Sequence, residues 1–107
     1  MMLRYSPEAR ADLREIRRYI SDTLGNPNAA ERITGDILRN CSSLKQFPML
    51  GMRLSEKIHK KTDLRFLICG NHIAFYRIAE DSVSVTRILD GRSNYLAVLF
   101  SEDNITQ

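Results

Sequence analysis

Residues 64–92 read LRFLICGNHIAFYRIAEDSVSVTRILDGR and contain three short segments rich in β-branched and aromatic side chains. Segments of this composition and of about four to eight residues favour β-strands, so strands are predicted over 64–69, 72–78 and 82–89. Gly70-Asn71 separates the first two segments, and both residue types tolerate positive φ. The pair therefore predicts a tight hairpin turn and an antiparallel sheet.

Alternation along these segments predicts one apolar face of the sheet. The residues expected on corresponding faces are Phe66, Ile68, Ile73, Phe75, Val83, Val85 and Leu89. An apolar sheet face has to pack against a second layer, which the preceding part of the chain must supply.

Two amphipathic helices are predicted before the sheet. Ser6-Pro7 and Asn26-Pro27 each place a capping side chain before a proline suited to the first helical position. Gly25 supplies the left-handed conformation that ends the first helix. Apolar residues recur at helical spacing in both segments: Ala9, Leu13, Ile16, Ile20 and Leu24, then Ala30, Ile33, Ile37, Cys41 and Leu44. The expected fold is α+β, with an N-terminal αα-hairpin packed on a three- to four-stranded antiparallel β-sheet.

A chain of 107 residues has the length of one domain, with an ordered core expected over about 2–100 and a frayed tail over 101–107. Met52–Leu54 is expected to pair as a strand and Ser55–Asp63 to form a mobile basic loop. Asn94–Phe100 is expected to form a strand or a short helix. Because neither a long apolar segment nor a signal-peptide pattern is present, we expect a cytoplasmic protein that does not enter a membrane.

The charge is distributed unevenly along the chain. The net charge is +3, but residues 51–79 hold six basic and two acidic residues, a local balance of +4. This segment is interpreted either as a solvated loop or as a surface that meets nucleic acid or an acidic protein.

The sequence contains no strong signature of a metal or cofactor site. Cys41 and Cys69 lie within apolar patterns without metal-ligand spacing, which favours buried reduced thiols. His59 and His72 are interpreted as surface residues. A glycine-rich phosphate loop, an HExxH-like pair, a nucleophile elbow and a cysteine quartet are absent from the sequence, so we expect no metal and no cofactor.

A longer pattern is formed by residues that follow one another in a fixed order through the predicted hairpin and the predicted sheet. It comprises Tyr5-Ser6, Ala9, Asp12-Leu13, Ile16, Tyr19-Ile20, Ala30, Ile33, Ile37, Leu44, Pro48, Gly51, Leu64-Arg65, Phe75-Tyr76-Arg77-Ile78, Val83, Val85, Arg87-Ile88-Leu89 and Gly91-Arg92. This order resembles the RelE/ParE superfamily of type II toxin–antitoxin toxins over nearly the whole chain. The resemblance implies a helical hairpin on an antiparallel sheet and a cognate antitoxin that binds the toxin as a hetero-oligomer.

Two activities follow from the resemblance. RelE-like members are ribosome-dependent mRNA endonucleases that use basic and tyrosine side chains, whereas ParE-like members, the plasmid-stabilisation branch, inhibit DNA gyrase. Ile73 stands where the endonuclease pattern places an arginine, which removes a guanidinium that would stabilise phosphate charge. The pattern from Arg87 to Arg92 is more ParE-like, although Asp90 stands where that branch often has a histidine.

The expected function is therefore ParE-like inhibition of gyrase, neutralised by an antitoxin. Two alternatives stay open, a RelE-like endonuclease that acts on the ribosome and mRNA, and a degenerate toxin retained as an antitoxin-binding module.

The candidate residues follow from these interpretations. A ParE-like toxin has no catalytic residues, and its target-binding residues are expected to be Arg53, Lys60, Lys61, Arg65 and Arg92. A RelE-like enzyme would instead use Arg65, Arg87, Arg92, Tyr95, Lys61 and His72. The antitoxin is expected to contact Arg10, Arg14, Arg17, Tyr95, Leu96, Leu99 and Phe100.

The alternation of side chains along each strand indicates whether Arg65 and Arg87, two of the endonuclease candidates, lie on the same face of the sheet. It places Arg65 with Leu67 and Cys69, and Arg87 with Val83 and Val85, so the two guanidinium groups are not expected to share a surface. A structural role for Arg87, paired with an acidic group, is an equally good interpretation.

Overall fold

A computed structural model describes residues 1–101 of the chain. Its elements are β1 (Met2–Tyr5), α1 (Pro7–Arg18), α2 (Pro27–Ser42), β2 (Met52–Arg53), α3 (Leu54–Ile58), β3 (Arg65–Cys69), β4 (His72–Ile78), β5 (Ser82–Asp90) and α4 (Tyr95–Leu99). A π-helical turn over Tyr19–Thr23 continues α1, and a 3₁₀ turn over Ser43–Lys45 continues α2. Apart from Ser101, the tail predicted to fray lies outside the described residues. Within the described range, every helix is too short or too polar to cross a membrane.

Both helices of the hairpin begin at the predicted residues. The Ser6 side chain accepts a hydrogen bond of 3.0 Å from the Ala9 N–H, and the Asn26 side chain accepts one of 3.1 Å from the Ala29 N–H. Gly25 adopts a φ of +65° between the two helices. The local capping rules therefore account for both helix starts.

Within residues 1–101 the sheet contains five strands in the order β1-β5-β4-β3-β2. The pairs among β2, β3, β4 and β5 are antiparallel, and Gly70-Asn71 forms the predicted hairpin turn. However, β1 pairs in parallel with β5, with Met2 opposite Ser82 and Tyr5 opposite Val85. The α+β class is confirmed, but the sheet is mixed and has one strand more than predicted.

A bulge in β5 divides the apolar residues between two faces. Phe75 pairs with Arg87 and Tyr76 with Val85, so Thr86 is the extra residue at this point. Val83 and Val85 pack in the core cluster beneath the helical hairpin, whereas Phe75 packs in a separate cluster on the other face. The predicted single apolar face was therefore wrong, because the sheet is buried on both sides. Arg87 pairs with Phe75 and therefore lies on the face opposite Val83 and Val85. The prediction that Arg87 shares a face with these two valines was wrong.

The second face is covered by α3 and α4. Its cluster consists of Leu54, Leu64, Phe66, Ile73 and Phe75, with Ile58, Leu89, Tyr95, Leu99 and Phe100 packed against it. Asn94–Phe100 thus contains a short helix, one of the two predicted possibilities.

The prediction of a mobile basic loop over Ser55–Asp63 was wrong for its first part, which belongs to α3. The lysine ammonium groups lie over aromatic rings, Lys57 at 5.0 Å from the centre of Phe66 and Lys60 at 4.2 Å from the centre of Phe100. Cation–π contacts of this kind hold part of the basic segment against the second cluster.

Candidate functional site

An open groove of about 580 Å³ lies between α1 and the end of β5. It forms because β1 pairs with β5 as far as Val85, so that α1 lies beside the remainder of the strand. The apolar lining consists of Ile16, Tyr19, Ile20, Leu24, Ile33, Ile88, Leu89 and Val98. Tyr19 and Leu24 are both more than half exposed. The groove therefore offers a concave apolar surface to solvent.

Side chains of α1 hold the edge of β5 next to this groove. The Asp12 carboxylate accepts hydrogen bonds from Arg87 Nε at 2.8 Å, from Arg87 Nη2 at 3.0 Å and from the Ile88 N–H at 2.9 Å. The hydrogen bond to Asp12 is the main reason why the pKa of Arg87 is raised. Arg87 thus has the acidic partner that a structural role requires.

The mouth of the groove carries a charged cluster. The Asp90 carboxylate accepts three hydrogen bonds from Arg92, from its N–H, Nε and Nη2 at 2.8, 3.2 and 3.1 Å. These bonds lower the pKa of Asp90 and raise that of Arg92. His72 pairs with Asp90 in the sheet, and burial lowers its pKa against the opposing influence of Asp90. At neutral pH the mouth therefore presents a neutral imidazole beside an ion pair.

A second polar cluster lies at the other end of the sheet. The Tyr76 side chain is fully buried, and its hydroxyl donates to the Pro48 carbonyl at 2.7 Å and accepts from the Gly51 N–H at 2.9 Å. Arg65 Nη2 donates to the carbonyls of Gly51 at 2.6 Å and Met49 at 3.3 Å. Arg65 is therefore occupied by backbone oxygens of the segment between α2 and β2.

The endonuclease candidates lie in separate parts of the fold. Arg65 begins β3, whereas His72 and Arg92 are at the opposite end of the sheet, about 13 Å away along the strands. Tyr95 lies in α4 on the second face, with its ring centre 5.3 Å from that of Phe75.

The two remaining endonuclease candidates, Arg87 and Lys61, do not join the others in a common site. Arg87 is held by Asp12, and Lys61 is exposed between α3 and β3. Ile73 is 7% exposed and belongs to the second apolar cluster, so the position where the endonuclease pattern has an arginine is a packed core position.

The predicted target-binding residues divide into two places. Arg53, Lys60, Lys61 and Arg65 lie on or near α3 and the start of β3, whereas Arg92 lies at the groove mouth. Arg53 approaches Glu56 at 3.8 Å, and both side chains are largely exposed. Of the first four residues, Arg53 and Arg65 pair between β2 and β3, whereas the Lys60 ammonium lies over the Phe100 ring after α4.

The predicted antitoxin-binding residues also divide. Arg10 and Arg14 are exposed on α1, while Arg17 bridges α1 and α2 through Glu31 at 3.4 Å and Thr34 at 3.5 Å. In α4 and after it, Tyr95, Leu99 and Phe100 pack against the second cluster, whereas Leu96 and Val98 are exposed.

Sequence reasoning did not identify Asp12 or Gly51 as residues that shape these sites. The role of each depends on a partner distant in the chain, Arg87 for Asp12 and Tyr76 for Gly51. The one available signal was the position of Asp12 beside the apolar stripe of α1, where a carboxylate facing the sheet requires a partner.

The described residues contain no group of three histidine, cysteine, aspartate or glutamate side chains arranged to hold a metal ion. Cys41 and Cys69 are buried free thiols, as predicted. Their mutual hydrogen bond, together with burial, raises the pKa of Cys41, which keeps this thiol protonated.

Comparison with known proteins agrees with this architecture. A chromosomal ParDE toxin–antitoxin structure from P. aeruginosa matches with a TM-score of 0.71 and 23% identity, covering 84% of this chain and 95% of that one. The RelBE2 toxin–antitoxin complex from Mycobacterium tuberculosis matches with a TM-score of 0.61 and 19% identity, covering 83% and 95%. A point mutant of YafQ from E. coli matches with a TM-score of 0.50 and 16% identity, covering 92% and 96%. At these identities the matches show the fold.

No curated protein sequence matches the chain significantly. The sequence pattern of one family, the ParE toxin of the parDE type II toxin–antitoxin system, matches residues 3–95. This range includes the hairpin, the sheet except for Met2, and the residues that line the groove except for Val98. The chain therefore belongs to the ParE toxin family of type II toxin–antitoxin systems.

Proposed function

We propose that this toxin binds and inhibits DNA gyrase in the cytoplasm, that it does so without cleaving RNA, and that a cognate antitoxin neutralises it by direct binding. The observation that carries the proposal is the dispersal of the basic and tyrosine side chains that an endonuclease would need. Growth inhibition would then follow from the loss of gyrase function.

The chemistry of RNA cleavage explains why dispersal matters. Proton transfer and stabilisation of phosphate charge require their side chains within hydrogen-bond distance of the same reacting atoms. Arg65 donates to backbone carbonyls and Arg87 to Asp12, so neither guanidinium is presented to a phosphate. His72 is about 13 Å from Arg65 along the strands, and Tyr95 packs against Phe75.

The groove between α1 and β5 supports binding of an antitoxin. Its apolar lining includes the exposed side chains of Tyr19 and Leu24, and exposed concave apolar surfaces on small proteins favour protein partners. Arg10 and Arg14 on the exposed surface of α1 would bind acidic side chains of the same partner. We infer that the antitoxin occupies the groove and forms a hetero-oligomer with the toxin.

The basic side chains of Arg53, Lys60 and Lys61 support a separate contact with the target, beside Arg65, whose guanidinium binds backbone carbonyls. This contact lies towards the end of the sheet away from the groove mouth, because Arg65 and Asp90 lie at opposite ends of their strands.

The activity is tested by expressing the chain alone in a bacterial host and measuring the DNA-damage response and global translation in the same cells. The proposal predicts a DNA-damage response while translation is initially intact. Rapid translational arrest with mRNA cuts in the ribosomal A site would contradict it and favour the endonuclease. Harmless expression of folded protein would favour a degenerate, antitoxin-binding module.

The antitoxin site is tested separately with the double variant Tyr19→Ser, Leu24→Ser. Affinity for the cognate antitoxin is expected to fall at least about tenfold, because both side chains lose apolar contact area. Ile68→Ser is the matched control, since Ile68 is equally exposed and is not among the residues that line the groove. Equal affinities for all three proteins would remove the groove from the interface.

A further inference from the structure

The segment over residues 46–52, here called the apolar turn, exposes a group of large apolar side chains. Phe47, Met49, Leu50 and Met52 are each between 53% and 67% exposed. A hydrogen bond of 3.0 Å from the Leu50 N–H to the Phe47 carbonyl closes the turn. Clustered apolar exposure on a small protein marks an interaction surface, and methionine side chains adapt readily to a partner.

The backbone of the apolar turn is held firmly. The Tyr76 hydroxyl binds Pro48 and Gly51, and Arg65 binds the carbonyls of Met49 and Gly51. The exposure of the apolar side chains is therefore a property of an ordered turn. A surface fixed in this way loses little backbone entropy when a partner binds.

The charges around the apolar turn indicate the kind of partner. Residues 46–52 contain no charged side chain, but the surrounding residues 45–65 contain six basic and two acidic residues. Lys45 and Arg53 flank the turn directly, and Arg65 lies beneath it. An apolar segment that also carries carboxylates would complement this surface. A second copy of the chain, bound symmetrically, would instead bring like charges together.

The apolar turn is remote from the groove. Met52 pairs with Phe66 at the start of β3, whereas His72 and Asp90 at the groove mouth lie at the opposite end of the sheet. The apolar turn is therefore a surface distinct from the groove.

We propose that the apolar turn is the docking surface for an apolar, acidic segment of the protein that this toxin inhibits. The inference rests on the proposed function where it takes that protein to be gyrase, and it adds the surface and the chemistry of the contact. Phe47, Met49, Leu50 and Met52 supply the buried contact area, and Arg53 supplies the charge complementarity.

The test compares the full chain with Met49→Ser, Leu50→Ser and with Arg53→Glu. Ile68→Ser is the control, because Ile68 is exposed to the same extent as Met52 and is outside the turn. Each protein is assayed for binding to immobilised gyrase holoenzyme, for growth arrest on induction and for thermal unfolding. The double variant and Arg53→Glu are each expected to bind at least about tenfold more weakly and to arrest growth less, with melting temperatures near that of the parent.

Three results would overturn the inference: variants that arrest growth as strongly as the parent, an Ile68→Ser control that loses activity equally, or a dimer of the parent that the double variant abolishes. Should the parent arrest growth without binding gyrase, the proposed function fails and growth arrest alone decides the inference. Loss of growth arrest in folded turn variants would then still support docking of a different target.

Discussion

Asp12 in α1 and Arg87 in β5, which are 75 residues apart in the chain, are joined by two hydrogen bonds of 2.8 and 3.0 Å. The same carboxylate accepts from the Ile88 N–H, so it binds both the side chain and the backbone of β5. Both side chains are more than two-thirds buried, with exposures of 14% and 29%. This contact fixes α1 beside the strand edge and thereby shapes the groove.

Replacing Asp12 with alanine is expected to lower the free energy of unfolding by about 2–3 kcal/mol, because Arg87 and the Ile88 N–H lose their shared acceptor. Urea denaturation measures the change. Glu15→Ala, which removes an exposed ion pair with Arg18, is the control and should cost less than about 1 kcal/mol. Equal effects of the two substitutions would contradict the structural role of Asp12.

Gly51→Ala is expected to destabilise the protein by about 2–3 kcal/mol. A Cβ at this position would lie 2.4 Å from the Phe66 carbonyl oxygen and 2.7 Å from the Tyr76 hydroxyl. Gly35→Ala is the matched control, because its Cβ would meet the flexible end of Arg39 at 3.3 Å within a helix. That control should gain up to about 1 kcal/mol from helix propensity. Thermal unfolding of both variants distinguishes close packing from a general intolerance of alanine.

Tyr76→Phe is expected to cost about 1–3 kcal/mol and to loosen the apolar turn, because the Gly51 N–H loses its buried acceptor. Hydrogen exchange reports the local effect directly. The Gly51 amide should exchange faster by more than the global loss of stability explains, while amides of α2 should follow the global change. Uniform acceleration across the chain would show that the hydroxyl does not hold the turn specifically.

The stability of the protein is expected to fall as the pH drops below about 6.5 because of His72. Burial lowers its folded-state pKa, with Arg92 acting in the same direction and Asp90 in the opposite one. The unfolded chain therefore binds more protons in this range, and acidification favours unfolding. Urea titrations at pH 7.5 and about pH 5 should show a smaller loss of stability for His72→Gln than for the parent. Equal losses for the two proteins would contradict this role of His72.

Ile73→Arg tests whether an arginine restores the endonuclease pattern. The side chain would enter the cluster of Leu54, Phe66 and Phe75, so we expect a loss of about 3 kcal/mol or more and no cleavage of mRNA. Ile73→Val, a control for packing alone, should cost about 0.5–1.5 kcal/mol. A stable Ile73→Arg protein that cuts message in the ribosomal A site would show that this position borders an active site.

Local signals explain what the sequence predicted well. Ser6, Asn26 and Gly25 act on backbone groups within a few residues, so their effects can be predicted from one short segment of sequence. The Gly70-Asn71 turn is local in the same way. By contrast, the parallel pair of β1 with β5 joins distant segments, and no short pattern encodes it.

The faces of the sheet illustrate a second limit. Simple alternation assumes a regular strand, but the bulge at Thr86 transfers Arg87 and Leu89 to the face opposite Val83 and Val85. Helix α3 was not predicted for a different reason. The lysines between residues 57 and 61 indicated a solvated loop, whereas Leu54 and Ile58, one turn apart, pack on the second cluster.

The sequence indicated which residues belong to the candidate sites, but it did not indicate where these residues lie in the fold. The basic residues were identified, yet their separation depends on the strand register, which sets Arg65 and Arg92 at opposite ends of the sheet. The groove was not predictable in detail, since it arises where β1 ends beside β5.

The most direct measurement is DNA supercoiling by purified gyrase in the presence of the antitoxin-free chain, with gyrase-dependent DNA cleavage read in the same reactions. We expect the chain to inhibit supercoiling or to trap cleaved DNA, and the cognate antitoxin to reverse the effect. Unchanged supercoiling and cleavage at a large excess of folded, growth-arresting chain would contradict this expectation.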